Sequence, residues 1–144
     1  MSSESLANLA KTGKLKAEAP AQREFDGLLR SGKIRLNDAR NPANALESRF
    51  DLAYNAAHAL ALAALRWNGY RSEDRYLVFQ ALAHTLSIEN AKWRFLDLCH
   101  RRRNVGEYEG RLEVDEKLVA ELIMIAGEVL RGVEALGPVP SAGA

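Results

Sequence analysis

The longest apolar stretch of the chain covers residues 52–67 and is rich in alanine. Its only side chains that are neither apolar nor aromatic are Asn55, His58 and Arg66. Alanine is the strongest helix former, and a helix with almost no polar face must be surrounded by other helices. The pattern therefore predicts a central helix over residues 44–68, begun by Asn41 and Pro42 and ended by Gly69.

Apolar positions with helical spacing predict further helices on both sides of this one. On the N-terminal side we expect a short helix over residues 4–11. A second helix starts at Pro20 and stops at Gly32, and one or two helical turns follow around Leu36. On the C-terminal side the expected helices cover residues 73–86 with Ser72 as N-cap, residues from 88 into the 100–103 segment, and residues 115–136.

No run of four or more residues alternates in the manner of a strand. The sequence therefore predicts an all-α fold, an up-and-down bundle of four main helices with one or two short N-terminal helices. We expect residues 1–19 to be flexible or a short helix, residues 20–137 to form the bundle, and residues 138–144 to fray.

The bulk composition predicts one globular domain. The 144 residues are 47% apolar and 27% charged, enough to bury a single core. The net charge of +1 gives no global attraction to nucleic acid, so such affinity requires a local basic patch. A single cysteine, Cys99, excludes an internal disulfide and a Cys-based zinc site. With neither a signal-peptide core nor a membrane-length apolar run, we expect a soluble, cytoplasmic protein.

The segment that carries chemistry is HRRRNVGEYEG, residues 100–110, in which His100 precedes Arg101, Arg102 and Arg103. On a helix these side chains fan around the circumference, so they cannot all be buried. One interpretation is a solvated helix end, where cations complement the helix dipole and Arg103 pairs with Glu107. The other is a phosphate site, because guanidinium groups present planar forks of donors that match phosphate oxygens.

Arg103-Asn104 followed by Tyr108 resembles the signature near the end of HEPN domains. These are small helical bundles whose nucleases carry an Arg, usually a polar residue such as Asn, and a His four to six residues after the Arg. The GYR turn after the alanine-rich helix and the HRRRNVGEYEG segment are similar to a standalone bacterial branch of that superfamily, over roughly residues 44–133. The resemblance implies an RNA-directed role, a homodimer, and a site where motifs of two chains face each other.

In active HEPN nucleases the Arg stabilises charge on the scissile phosphate and the His moves protons, without a metal. Here Arg103 and Asn104 match the pattern, but Tyr108 occupies the place of the His. A phenol titrates near ~10 and an imidazole near ~6.5, so Tyr108 is a poor base at neutral pH. Tyr108 can instead donate a hydrogen bond to phosphate or stack on a base. His100, one turn before Arg103, is the alternative proton carrier.

A second candidate group lies on the central helix, where Asp51, Tyr54, Asn55 and His58 can share one face. They are either satisfied polar groups at the rim of the core or a polar wall facing Arg103 or a dimer seam. The resemblance favours the wall, and makes Asp51, Tyr54 and His58 binding candidates. His84 is typical of a hydrogen-bonded rim residue, and nothing in the spacing supports a metal site or a cofactor.

These patterns predict a HEPN-like protein with an Arg-Asn-x-x-x-Tyr site for a phosphate of RNA or of a nucleotide. In its enzymatic version the protein is a metal-independent endoribonuclease with Arg103, His100 and Tyr108 as its catalytic set. Arg103 is the principal phosphate ligand, assisted by Arg102 and Asn104. The rival hypothesis is a non-catalytic dimeric scaffold or toxin–antitoxin-like partner, in which the Arg cluster meets an acidic protein surface.

Overall fold

The computed structural model describes residues 2–110 and 112–140, and most of them are helical. The helices are α1 (Ser2–Lys11), α2 (Gln22–Ala39), α3 (Leu46–Trp67), α4 (Arg75–Gln80), α5 (Leu82–Thr85), α6 (Asn90–Glu109) and α7 (Glu116–Glu134). Two short strands, β1 (Lys16–Ala17) and β2 (Tyr70–Arg71), pair antiparallel. The all-α class predicted from the apolar spacing is confirmed, with this two-residue ladder as an addition.

Helix α3 lies at the centre, as its apolar pattern predicts, and packs against α2, α4, α5, α6 and α7. Its alanines let these neighbours approach closely. The approach is close at Gly32 of α2, where an added Cβ would lie 2.5 Å from Cγ of Leu60. Gly32 therefore does not stop a helix, as we had expected, because α2 runs through it and the close packing offsets its low helix propensity.

The two ends of α3 show how well local signals locate helix boundaries. Gly69 ends the helix with φ of +89°, as predicted, because glycine adopts this left-handed conformation at little cost. The predicted start at Asn41 and Pro42 is wrong. Asn41 instead accepts the main-chain N–H of Ala43 in a turn, and the helix begins at Leu46. An Asx turn competes with N-capping for the same side-chain oxygen.

The single helix expected over residues 73–86 is divided into α4 and α5. Asp74 is the N-cap of α4, since its carboxylate accepts the main-chain N–H groups of Tyr76 and Leu77. Ser72 is not the cap and instead accepts the N–H of Asp74. Helix α4 therefore starts at Arg75, two residues later than predicted, and the Arg75 side chain contacts Tyr54 of α3.

Helix α6 extends further than the sequence predicts. It begins at Asn90 and continues through Gly106 to a left-handed C-cap at Gly110. Arg103, Asn104 and Tyr108 are therefore all helical. Gly106 is tolerated because an added Cβ would lie 2.9 Å from the side chain of Leu112, in the following loop. The helix predicted to run into residues 100–103 therefore continues to Glu109.

The first helix and residues 137–138 contact the body of the fold. Leu6 of α1 is buried, and Trp67 donates through Nε1 to the carbonyl oxygens of Gly137 and Pro138. Residues 141–144 of the predicted frayed tail lie outside the described residues. Among the helices that the structure describes, none has the length and apolar character that crossing a bilayer demands.

Candidate functional site

Arg103 of α6 is held against α3 rather than extended into solvent. Its Nε donates to Oδ1 of Asp51 at 2.9 Å. Its guanidinium carbon lies 5.3 Å from the centroid of the Tyr54 ring, within the range of a cation–π contact. The side chain is 23% exposed, so the guanidinium is oriented by the protein and still reaches the surface. The expected pairing with Glu107 lies outside the described side chains.

Tyr54 connects three helices through its hydroxyl group. Arg75 of α4 donates through Nη1 to the Tyr54 oxygen at 3.0 Å, and Nδ1 of His100 on α6 lies 2.7 Å from the same oxygen. The Tyr54 residue is fully buried, so this hydroxyl depends on these two partners. Burial raises the pKa of the Tyr54 phenol, against the opposing effect of Arg75, so the phenol is protonated at neutral pH.

His100 lies at the middle of this group of side chains. Its ring is nearly parallel to that of Tyr54, with 6.0 Å between centroids, and its Nε2 lies 3.3 Å from the amide nitrogen of Asn104. Burial lowers the pKa of His100; Asp97 opposes this change and Arg75 adds to it. The imidazole is therefore neutral at neutral pH.

His58 is the inner neighbour of this cluster. Its ring packs edge-on against Phe79, with 5.9 Å between centroids. Burial, with smaller contributions from Arg75 and His100, lowers the pKa of His58 to about 4. Two neutral imidazoles thus lie close to two arginines, which keeps positive charge from accumulating in the protein interior.

The structure does not bring every candidate residue into this cluster. Arg102 lies on another face of α6, as adjacent helical residues diverge by about 100°. Tyr108 is 94% exposed, so its side chain lies in solvent and not in the cluster. The residues brought together from the predicted set are Asp51, Tyr54, His58, His100, Arg103 and Asn104.

Two open grooves flank the C-terminal half of α6. The groove beside Arg103 has a volume of about 690 Å³. Its lining residues are Glu47, Ser48, Asp51, Leu52, Arg103, Gly106, Gly110 and Leu112. The second groove, of about 660 Å³, contains Arg101 and Arg102. Because the first groove holds two carboxylates, an anion that enters it competes with Asp51 for Arg103.

Arg75 is the one member of the cluster that sequence reasoning missed. The sequence did contain a signal for it. A cation in the first turn of a helix interacts unfavourably with the helix dipole, so Arg75 at this position needs another stabilising contact. The explanation is Tyr54, whose hydroxyl and ring both contact the guanidinium, with 5.5 Å between the guanidinium carbon and the ring centroid. This contact links residues 21 positions apart, so spacing within one helix could not reveal it.

The remaining chemical candidates lie apart from the cluster. His84 lines a separate groove with Gln80 and Lys14. Burial raises the pKa of the Cys99 thiol to about 12, which makes it unreactive at neutral pH. Among residues 2–110 and 112–140, no three His, Cys, Asp or Glu side chains converge in a way that could hold a metal ion.

Comparison with known proteins identifies no relative: no family model, curated protein or solved structure matches the chain. The arrangement of Asp51, Tyr54, Arg75, His100, Arg103 and Asn104 is therefore the basis for any functional conclusion. We call these six residues the Tyr54 cluster.

Proposed function

We propose that the chain binds a phosphate group of RNA or of a nucleotide at the Tyr54 cluster, with Arg103 as the principal ligand. The observation that carries this proposal is the placement of Arg103. The protein orients its guanidinium through Asp51 and Tyr54 at the edge of an open groove.

Three side chains of α6 can contact one anion. His100, Arg103 and Asn104 are spaced i, i+3 and i+4, so they are neighbours on the helix surface. Arginine binds phosphate oxygens through a planar fork, and the Asn104 amide supplies a second donor. Because His100 and Tyr54 are both neutral, neither adds negative charge that would repel a phosphate.

Asp51 is the group with which a phosphate must compete for Arg103. It forms the ion pair with Arg103 through a carboxylate that is 52% exposed. Exposed ion pairs contribute only about 0–1 kcal/mol, since water already solvates both groups. A phosphate that offers two oxygens to one guanidinium can therefore replace Asp51. When no ligand is bound, Asp51 keeps Arg103 in place.

The enzymatic version of this proposal is metal-independent RNA cleavage in a HEPN-like protein. The ribose 2′-oxygen forms a bond to phosphorus while its proton passes to a base. The bond from phosphorus to the 5′-oxygen breaks, and the departing 5′-oxygen takes up a proton to become a hydroxyl group. The candidate proton carriers of this version are His100, which lies 3.3 Å from Asn104, and Tyr108. The up-and-down order of four main helices, the homodimer and the cytoplasmic location stay predictions.

Fluorescence anisotropy with a labelled single-stranded RNA oligonucleotide tests the binding proposal. We expect Arg103→Ala to weaken binding about tenfold and to reduce the slope of log K against log salt by roughly one. Arg101→Ala is the matched control, because Arg101 pairs with Asp97 and lines the other groove. Equal affinities of wild type, Arg103→Ala and Arg101→Ala would refute the phosphate site.

A cleavage assay with EDTA present separates an enzyme from a binding protein. Cleavage by the wild type that is lost in Arg103→Ala supports the ribonuclease. Binding that weakens with salt, without cleavage, supports a phosphate-binding protein that is not catalytic.

The groove on the other face of α6 favours a second candidate function, a scaffold that binds an acidic protein partner. It combines Arg101 and Arg102 with two exposed apolar side chains, Leu98 at 38% and Val105 at 55% exposure, and its rim also carries the carboxylates of Glu109 and Glu113. Cations beside apolar side chains suit a protein surface with carboxylates around an apolar centre. This candidate is supported when RNA neither binds to the protein nor is cleaved by it.

A further inference from the structure

We propose that Arg75 and Tyr54 place the ring hydrogen of His100 on Nε2, so that His100 donates a hydrogen bond to the bound phosphate. This inference rests on the proposed function at the Tyr54 cluster and says how the site works. In this arrangement His100 holds the phosphate and is not the base that removes a ribose proton.

Arg75 determines the direction of the hydrogen bonds that link it to Tyr54 and Tyr54 to His100. A guanidinium has only N–H groups, so in the 3.0 Å contact Arg75 donates and the Tyr54 oxygen accepts. The hydroxyl hydrogen of Tyr54 then needs an acceptor of its own. Arg75 and His100 are the hydrogen-bond partners that the described part of the chain offers to this oxygen.

Nδ1 of His100, at 2.7 Å, is the acceptor that satisfies the Tyr54 hydroxyl. In the opposite arrangement Nδ1–H donates to Tyr54, and the hydroxyl hydrogen is left buried without an acceptor. An unsatisfied buried donor is costly, so the first arrangement is favoured. A neutral imidazole carries one hydrogen, and with Nδ1 as acceptor that hydrogen lies on Nε2.

Asn104 fits this order with its amide turned so that Oδ1 faces Nε2. Nitrogen and oxygen of an amide have nearly the same shape, so the hydrogen-bond network decides its orientation. The 3.3 Å contact is then a hydrogen bond from Nε2–H of His100 to Asn104. Because Asn104 is exposed, a phosphate oxygen can take over as the acceptor.

Charges from each neighbouring helix act on His100. On α6 these are Asp97 and Arg103, and on α4 they are Asp74 and Arg75. The groups of α3 that face His100 are Tyr54 and His58, and Asp51 of α3 pairs with Arg103. The two carboxylates that raise the pKa are opposed by two guanidiniums, so burial decides in favour of the neutral ring.

A neutral ring in this orientation has no lone pair for the substrate. Nδ1 is occupied by Tyr54 and Nε2 already bears a hydrogen, so His100 cannot accept the 2′-hydroxyl proton. It can stabilise negative charge on a phosphoryl oxygen as a hydrogen-bond donor. Arg75 is accordingly a positioning residue, because it acts on the phosphate through Tyr54 and His100.

Two-bond ¹H–¹⁵N NMR correlation of the full chain reads the hydrogen position directly. In the wild type we expect Nε2–H and a bare Nδ1 on His100 at pH 7 and above. Tyr54→Phe keeps the ring and removes the hydroxyl, so we expect a mixture of both tautomers. The separate variant Arg75→Lys keeps a donor to Tyr54 and should show the same hydrogen position as the wild type. Hydrogen on Nδ1 in the wild type, or a charged ring at pH 7, would overturn the proposal.

RNA binding by two His100 variants tests the donor role. His100→Gln retains an N–H donor, and we expect its affinity for the RNA oligonucleotide to stay within about threefold of wild type. His100→Ala removes the donor and should lose about tenfold. RNA cleavage by the wild type that is abolished in His100→Gln would contradict the donor role. The expected NMR pattern in a protein that does not bind RNA would instead refute the proposed function alone.

Discussion

Two arginines near the ends of long helices, Arg66 of α3 and Arg103 of α6, lie in contrasting environments. Arg66 is 2% exposed, and Glu24 accepts from its Nε at 2.8 Å. Its Nη1 and Nη2 donate to the carbonyl oxygens of Glu18 and Ala19 at 2.9 and 2.8 Å. The guanidinium thus joins α3 to α2 and to the segment before α2.

Arg103 shares its guanidinium chemistry with Arg66 but not its surroundings. It is partly exposed, its carboxylate partner Asp51 is half-exposed, and a groove opens beside both. A buried guanidinium bonded on every side stabilises the fold and leaves no room for a ligand. A guanidinium that is oriented by the protein yet reaches solvent can exchange a partner. The two positions therefore separate a structural arginine from a candidate ligand-binding one.

Removing Arg66 should give the largest effect. In Arg66→Ala the Glu24 carboxylate and the main-chain carbonyls of Glu18, Ala19 and Tyr70 lose a buried partner. We therefore expect the free energy of unfolding to fall by about 3–5 kcal/mol. Urea denaturation measures this change. The matched variant Arg103→Ala should lose less than about 1 kcal/mol. Similar losses in both variants would remove the distinction between the two arginines.

Acidification should destabilise the protein through His58, the inner neighbour of the Tyr54 cluster. The folded pKa of about 4 lies below the unfolded value of 6.5, so the unfolded state takes up the proton first. Stability is complete above pH 6.5 and is lost as pH falls towards 4, by up to about 3 kcal/mol. Urea denaturation at several pH values shows this loss, and His58→Gln should flatten the profile between those limits. An unchanged profile in His58→Gln would contradict a buried neutral imidazole.

The stability contributed by the contacts of Arg66 should also depend on pH, through its partner Glu24. Burial raises the pKa of the Glu24 carboxyl, but hydrogen bonds from Arg66 and Arg71 outweigh it and leave the pKa below its ordinary value. This stabilisation is present above the unfolded pKa of Glu24 and is lost as pH falls through the folded one. In Glu24→Gln we expect a smaller loss than in Arg66→Ala and a flatter stability profile below pH ~4. A profile as steep as that of the wild type would assign the acid sensitivity to another group.

The smallest change should come from Asp51. Asp51→Asn removes the charge that competes with phosphate for Arg103, so we expect RNA affinity to rise about two- to fivefold with little change in stability. Anisotropy titration with the RNA oligonucleotide measures the affinity. Glu47→Gln, in the same groove, is the control for a general loss of negative charge. Weaker binding in Asp51→Asn would mean that Asp51 is needed to hold Arg103 in its binding position.

Local sequence signals were sufficient for most helices but not for their exact limits. The alanine-rich pattern located α3, and Gly69 marked its end. Gly32 was misread as a stop because its tolerance depends on Leu60 of a different helix. The early start assigned to α3 failed because the Asn41 side chain bonds within a turn.

The candidate site shows the same division. The spacing placed Asp51 and Tyr54 on one face of α3, and the family resemblance favoured a wall that faces Arg103 of α6. The spacing could not show that Tyr108 points into solvent, nor that Arg75 contacts Tyr54. Arg66, noted only as a polar interruption in the sequence, proved to be a buried structural residue.

The sequence by itself determined that this protein is helical, with a buried alanine-rich helix at its centre, because propensity and the 3.6-residue period act within one segment. The tertiary structure alone decided which arginine is saturated by its neighbours and which reaches a groove. That outcome depends on how the helices cross and rotate against one another, and thus on contacts such as Gly32 with Leu60. The hydrogen-bond order from Arg75 through Tyr54 to His100 exists only once three helices have packed together.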